Sequence, residues 1–308
     1  MKRFVSIFFP AIMLLFSCST SRVSPVVSGG EDTPKEEQPE DVYASTVPYG
    51  HIKLMSFNIR YDNKDDEKKG HGWSTRKKGV YAMLKEERPL VFGVQECEPV
   101  QRQDLSENTV YDMIGVGKYD GEEKGESVSI FYVKDSIEIV KWGTFWQSET
   151  PSVPGSVGWD ASETRPCTWA LMRHRTLNVS FYYFNTHLDN GGRKARQSGL
   201  QLILKTMQEM NTEGYPCFLT ADFNSAQDDS IFDELLTVMS NARTAAPVTD
   251  NYSSINNFSA VSTGGRSIDH IFFSGVGICR FCTVTSPWEG VKFISDHFPI
   301  WAEFDLVP

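Results

Sequence analysis

The chain of 308 residues is short of cysteine, of basic charge and of long apolar runs. Six cysteines over that length are too few for the disulfide framework of a small secreted scaffold. Lys and Arg number 30 against 40 Asp and Glu, and the net charge of −10 disfavours a sequence-blind electrostatic grip on a nucleic-acid duplex. No internal repeat is visible. What is present is 40% hydrophobic and 23% charged, which excludes a disordered tail or a collagen and suits one large domain or two small ones.

The most apolar run, Phe4 to Phe16, follows Lys2 and Arg3. It is too short to span a bilayer comfortably but has the length of an export-signal core. The run closes on Leu15-Phe16-Ser17-Cys18, which resembles the lipobox of bacterial lipoproteins, although Phe16 replaces the small residue usual there. The resemblance implies a signal peptide over 1–18, acylation of Cys18, and a lipid anchor in the bacterial cell envelope, at the outer membrane. Several acyl chains, at ~0.8 kcal/mol per buried methylene, hold stably where one does not. The alternative is a plain secretory signal, which exports the chain equally.

Residues 19–48 are rich in Ser, Pro, Gly, Glu and Asp, and the stretch SGGEDTPKEEQPED has no apolar side chain to offset the entropy of ordering. A flexible acidic tether is expected. Residues 1–48 hold four basic and six acidic side chains, so the domain expected over 49–308 keeps 26 against 34, a net charge of −8. With Cys18 acylated, Cys97, Cys167, Cys217, Cys279 and Cys282 remain, an odd number that leaves at least one free thiol. Cys279-x-x-Cys282 lies in a strand-like run with no second pair to complete a zinc site, so packing is the expected role.

From His51 onward the dominant signal is eleven short β-branched and aromatic runs, from IKLMSFN through NVSFYYFNTHL to IWAEFDL. Four helical patterns fall between them: Ser74 to Arg88 behind a Ser cap, Glu98 to about Asn108, Arg193 to about Asn211, and Ser230 to Met239. Leu200, Ile203, Leu204 and Met207 form an apolar stripe suited to lying on a sheet. Many strands and few helices predict two packed sheets flanked by helices, an α+β domain of about 260 residues.

Several strands run out into polar residues. Lys53–Phe57 ends in Asn58, Leu90–Gln95 in Glu96, Phe181–Thr186 in His187, and Cys217–Ala221 in Asp222-Phe223-Asn224. Ser295-Asp296-His297 precedes the last strand, and Asp269-His270 lies inside SIDHIFF. Singly, such residues are most often turn or cap residues. Together they fit hydrolysis of a phosphate ester with a hard divalent cation. Asn58 and Glu96 offer oxygen ligands, which suit Mg²⁺ or Mn²⁺ better than zinc. Asp222 and Asn224, two apart on an extended segment, face the same way and can orient a water and a phosphoryl oxygen. His297 can act as base if a carboxylate fixes its tautomer, and Asp269 is the natural partner.

The blocks MSFNIR, GVQE, FNTHLD, LTADFNS, SIDHIFF and SDHFPI, in this order over residues 54–300, resemble the endonuclease/exonuclease/phosphatase superfamily. The resemblance covers nearly the whole domain. It implies a four-layer α/β/β/α sandwich of two mostly antiparallel sheets flanked by helices, with the site where the loops of the two sheets meet. It implies that Glu96 is a direct metal ligand, with Asn58 and Asp296 close to the ion. It implies further that Asp222 and Asn224 position water and phosphate, that His297 is the catalytic base with Asp269 as its carboxylate, and that His187 contacts the phosphate or leaving oxygen. Glu126, in GESVSIFY, resembles the acid that supports this second histidine, and Arg165, in TRPCTWA, resembles an arginine that reaches a substrate phosphate. A solvated charge is the alternative for both. Asp189, two past His187, faces the same side and has no assigned role. The seven tryptophans are expected in the core rather than at a cofactor, although Trp73, Trp146 and Trp159 fall in expected loops and could wall a pocket.

The implied activity is metal-dependent hydrolysis of phosphate esters by in-line attack of water, with a phosphodiesterase or nuclease-like enzyme as the leading expectation. Substrate choice resides in loops that such folds vary freely. Asp222-Phe223-Asn224-Ser225 lacks the Asn-Tyr-Arg usual in inositol polyphosphatases, which disfavours that branch. Arg193-Lys194-Ala195-Arg196 is either a local basic strip for a nucleic acid or the exposed start of a helix. Two further expectations stay open: a lipid or small-molecule phosphodiesterase or phosphatase at the cell surface, and a noncatalytic surface binding protein on the same scaffold. Expected partners are a phosphate-ester substrate, whether nucleic acid, nucleotide or phospholipid headgroup, and the membrane that holds the anchor, with no protein partner.

Overall fold

A computed structural model describes residues 48–307. The expected export signal, Cys18 and all of the expected tether but its last residue lie outside the described residues. In chain order the first half contains β1 (His51–Asn58), α1 (Lys64–Lys68), α2 (Trp73–Glu87), β2 (Val91–Gln95), α3 (Pro99–Asn108), β3 (Tyr111–Ile114), β4 (Ile130–Val133) and β5 (Ile137–Trp146). There follow β6 (Pro166–His174), β7 (Val179–His187), α4 (Arg193–Met210), β8 (Cys217–Asp222), β9 (Ser240–Asn241), α5 (Ala242–Ala245), β10 (Asp269–Ser274), β11 (Gly277–Thr283) and β12 (Ile300–Asp305).

Each of the eleven β-branched runs forms a strand, and with the short β9 they make two six-stranded sheets. The first has the order β11-β12-β1-β2-β4-β3 and the second β5-β6-β7-β8-β10-β9. Both are antiparallel except for one central parallel pair, β1 with β2 and β7 with β8. A parallel pair needs a crossover, and α2 and α4 supply it. The two halves thus share one strand plan although their sequences do not repeat.

Alternation along each strand divides the apolar residues between two faces. Ile52, Leu54, Val91, Ile300 and Phe304 of the first sheet meet Met172, Phe181, Tyr183, Phe218 and Ile271 of the second in the central core. The opposite faces pack outward: Phe57, Phe92, Val94 and Phe131 against Val80, Met83 and Leu84 of α2 and Leu105 of α3. On the other side Phe184, Leu219 and Phe272 lie against Leu200, Ile203, Leu204 and Met207 of α4. Helices, sheet, sheet and helix make the four layers. The stripe on α4 sits as its periodicity requires.

Two local expectations are corrected. No helix spans Ser230 to Met239; two 3₁₀ turns, Ser230–Phe232 and Leu235–Thr237, take its place. Ile231, Phe232 and Leu235 turn inward to the core, after which the chain is drawn out so that Ser240 and Asn241 pair with β10 as a twelfth, two-residue strand. Trp73 and Trp146 are not pocket walls. Both are buried, with indole N–H groups donating to Asp104 Oδ2 (2.7 Å) and to the Lys118 carbonyl (2.7 Å). Trp159 does lie in a loop, half-buried with φ 53°.

The interface between the sheets is largely apolar, with a cluster of polar side chains beneath the ends of the parallel strands. There Gln95 Nε2 donates to Asn185 Oδ1 (2.7 Å), and Asn185 Nδ2 donates to the carbonyls of Val94 (2.7 Å) and Ser129 (3.0 Å). A side chain on Gly93 would collide with Asn185 and Thr220 of the facing sheet. Glycine at this position permits the close approach that fastens one sheet to the other.

Candidate active site

The strand plan brings equivalent ends of the two halves together. Asn58 closes β1 and Glu96 follows β2; His187 closes β7 and Asp222 closes β8, directly opposite it in register. Asn58 links the halves, its Nδ2 donating to Glu96 Oε1 (3.0 Å) and to Asp222 Oδ2 (3.0 Å). The second oxygen of Glu96 accepts from the Tyr61 N–H (3.2 Å). Glu96 and Asn224 both have left-handed backbone, at φ 60° and 50°. Asn tolerates this conformation; Glu is strained in it, a cost that recurs where side-chain direction matters more than stability.

On the neighbouring strand of the same sheet, Asp269 pairs with Asp222 in the β10–β8 register. Its Oδ2 holds His297 Nδ1 at 2.8 Å, leaving Nε2 to face Asp222 Oδ2 at 3.8 Å. Asn224 Nδ2 lies 3.0 Å from His187 Nε2 and donates to the Leu188 carbonyl (2.9 Å), while its N–H is held by Asp222 Oδ1 (2.9 Å). Asp296 is approached by Arg60 Nη1 at 3.4 Å. Asn58, Glu96, His187, Asp222, Asn224, Asp269 and His297, drawn from distant parts of the chain, thus form one connected network, with Asp296 joined to it through Arg60, whose N–H donates to Asn58 Oδ1 (3.0 Å). His270 does not join it. Neighbours on a strand point oppositely, and His270 turns into Phe223, Phe232 and Phe272 with Nε2 on the Ser225 carbonyl (3.0 Å).

The charges are arranged unevenly. Burial opposes the charged ring of His297, yet Asp269 and Asp222 outweigh it and hold this histidine well above its usual range. Burial, Arg165 and His297 push His187 well below, so their surroundings shift the two histidines in opposite directions. Burial and then Asp296 raise Glu96; burial and then Asp269 raise Asp222. Four carboxylates crowd one recess, and Asp269 Oδ1 is buried without a partner. Oxygen donors under mutual repulsion are what a hard dication would relieve; the carboxylates of Glu96 and Asp296 are the donor type that could hold one, whereas Asn58 Oδ1 accepts from the Arg60 N–H (3.0 Å). Asp222, Asp269 and His297 also bring ligand atoms within 4.8 Å of one another, but the short Asp269–His297 bond gives that trio the geometry of an oriented base.

Beside this network lies a narrow notch lined by Glu96, Lys118, Glu126, Arg165 and His187. Arg165 is buried there, its Nε 3.2 Å from Asp189 Oδ2. Glu126 reaches Lys118 Nζ (3.3 Å) instead of supporting His187, whose own contacts are with Asn224 and Asp222. Lys118 escaped the sequence analysis because a lone lysine before a tyrosine in a loop has no pattern. Asp189 was visible only as a same-face neighbour of His187. The structure places it as an anchor, accepting from the N–H groups of Ser162 (3.1 Å), Gly191 (3.0 Å) and Gly192 (2.7 Å) as well as from Arg165. Burial opposes its charge, but the Gly192 and Ser162 amides, the Ser162 hydroxyl and Arg165 bring Asp189 down to about 2.

A two-sheet sandwich with this cluster at one rim defines a class, and the comparisons agree. The sequence pattern of the endonuclease/exonuclease/phosphatase family matches residues 55–297, and the chain belongs to that family. Among solved structures, a mannosyl-6-phosphatase of Bacteroides thetaiotaomicron is 34% identical with a TM-score of 0.76, covering 82% of this chain and 99% of its own. An endonuclease/exonuclease/phosphatase family protein of the same organism is 33% identical with a TM-score of 0.77, covering 82% and 97%. D. rerio TDP2, solved with a single-strand DNA product, shares the fold at 15% identity and a TM-score of 0.64, covering 82% and 98%.

Proposed function

We propose that the protein is a divalent-metal-dependent hydrolase of phosphate esters, acting with Mg²⁺ or Mn²⁺, and that its preferred substrate is a phosphomonoester on a sugar. The observation that carries the reaction class is the convergence of Asn58, Glu96, His187, Asp222, Asn224 and the Asp269–His297 pair at one rim. His297 Nε2 takes a proton from a water held by Asp222 and Asn224, and Asp269 keeps the ring in the tautomer that frees Nε2. Asn58 and Asn224 hold the carboxylates in place around that water. His187 and the buried Arg165 face the phosphoryl oxygens and offset the charge that grows on them. A dication held by Glu96 and Asp296 would supply further positive charge to those oxygens.

The sequence-level expectation favoured a diesterase. The monoester is preferred here because the 34% identical neighbour is a mannosyl-6-phosphatase. The basic strip gives a nucleic acid little to grip, because Arg193 pairs with Asp229 (3.1 Å) and Arg196 donates to the Asp189 carbonyl (2.8 Å). Hydrolysis of p-nitrophenyl phosphate, bis-p-nitrophenyl phosphate, mannose 6-phosphate and single-stranded DNA, with Mg²⁺ and with EDTA, tests the reading. Mg²⁺-dependent release from the monoesters is expected; turnover of the diesters alone would restore the diesterase, and no turnover of any would leave a binding protein.

For the cell, we propose that the chain is exported, acylated at Cys18 and held by lipid to the bacterial envelope, with the domain on its tether. Incorporation of labelled palmitate by the wild type and not by Cys18→Ser is expected. Equal incorporation by both would reduce the leader to a plain secretory signal.

A further inference from the structure

β1 runs from His51 to Asn58, so its first residue lies about 23 Å from the active-site end at roughly 3.3 Å per residue. A second polar cluster occupies that far end. In the β1–β12 register His51 faces Asp305 and Lys53 faces Glu303, so His51, Glu303 and Asp305 share the face of the sheet opposite Ile52 and Phe304. The β11–β12 register slips between Ile278 and Arg280, which makes Cys279 the extra residue of a β-bulge. Bulges re-aim side chains, and this one brings Cys279 Sγ to 3.7 Å from His51 Nδ1. Glu303 Oε1 lies 2.9 Å from the same nitrogen, and Asp305 Oδ1 lies 2.8 Å from Nε2. His51, Cys279 and Asp305 can each bring one ligand atom within 4.8 Å of the others.

We propose that His51, Cys279 and the Glu303/Asp305 carboxylates form a second metal site, separate from the catalytic recess and selective for a thiolate-binding dication such as Zn²⁺. The donor set decides the ion: one imidazole, one sulfur and carboxylate oxygen suit zinc, whereas Mg²⁺ and Ca²⁺ take oxygen alone. The spacing fits as well. Zinc bonds of about 2.3 Å to sulfur and 2.0 Å to nitrogen put the two donors roughly 3.6 Å apart in a tetrahedron. With a carboxylate at each ring nitrogen, one joins the ion while the other holds the remaining N–H, the arrangement that fixes a ligating histidine. Among the described residues both acids form ion pairs with His51. Cys279 is a free thiol, and three hydrogen-bonded strands hold the donors before any ion arrives. On binding, the S–H bond breaks, a sulfur–metal bond forms and the proton passes to solvent. The ion then ties the first strand of the domain to its last two.

The test uses the full-length protein, stripped of metal, kept in excess Mg²⁺ and titrated with Co²⁺ and with Zn²⁺. One Co²⁺ per chain with a thiolate-to-cobalt charge-transfer band is expected, displaced by Zn²⁺. Cys279→Ser should abolish the band, and His51→Ala should weaken Zn²⁺ binding by at least about tenfold. Cys282→Ser should retain both, and any Mg²⁺-dependent hydrolysis should be unchanged in all three. A cobalt complex without the sulfur band, a band that survives in Cys279→Ser, or loss of it in Cys282→Ser would each overturn the proposal.

Discussion

Single side chains set the chemistry through their neighbours. A general base must be neutral to accept a proton, and Asp269 and Asp222 hold His297 charged to a higher pH than a free imidazole. The acid limb of the rate–pH profile should therefore lie above the usual histidine range. Asp269→Asn removes one of the charges responsible, so a pH–rate profile should show that limb moving to lower pH while the plateau falls by about 10²- to 10⁴-fold. An unmoved limb would take the base role away from His297. Glu96 is tested differently, because the proposed role puts it beside the ion. Glu96→Gln keeps shape and hydrogen bonding to Asn58 but loses the charge, so turnover should drop by about two orders of magnitude or more and the Mg²⁺ required for half-activation should rise. Circular dichroism should show the fold intact.

At the scale of elements, the junction between β7 and α4 carries more than its sequence suggests. Asp189 joins the Ser162 loop, the Gly191–Gly192 amides and Arg165, so it fixes an arginine of the notch through a segment that merely looks like a strand-to-helix turn. Asp189→Ala leaves Arg165 buried without its carboxylate, which should cost about 3 kcal/mol in urea unfolding. It should also raise KM for a phosphomonoester more than it lowers kcat. Lowered stability with an unchanged KM would make Asp189 structural only. The crossing of the sheets offers a second test. Gly93→Ala sets a methyl against Asn185 and Thr220, and the overpacking should cost about 1–3 kcal/mol, read as a lower Tm.

The whole molecule has its own pH dependence. His270, enclosed by Phe223, Phe232 and Phe272, is pushed down to about 4 by burial. Its neutral form favours the folded state above the unfolded pKa near 6.5, and that contribution is lost as the pH falls through 4. The difference amounts to about 3 kcal/mol. Urea unfolding between pH 7 and 4 should show this decline, and His270→Gln should flatten it; an identical slope in both proteins would assign the acid lability elsewhere.

At this largest scale the fold was legible where periodicity speaks. The eleven β-branched and aromatic runs became strands, and the Leu200–Met207 stripe became the face of α4 toward the second sheet. Ser230–Met239 misled because inward apolar residues at helical spacing are also compatible with two tight turns, and the two residues of β9 are too few to alternate. The site was legible as types of residue: Asn, Glu, His and Asp standing where apolar strands stop. What local pattern does not encode is distance through space.

The amino-acid order by itself determined which segments extend, which coil, and which polar groups stand at their ends, because those properties depend on neighbours along the chain. Only the tertiary structure decided that Asn58 bridges Glu96 and Asp222, that Glu126 turns to Lys118, that Asp189 anchors Arg165, and that Cys279 meets His51 rather than Cys282. Those pairings follow from strand order, register and one β-bulge, and such features are fixed by how two sheets bury their common core.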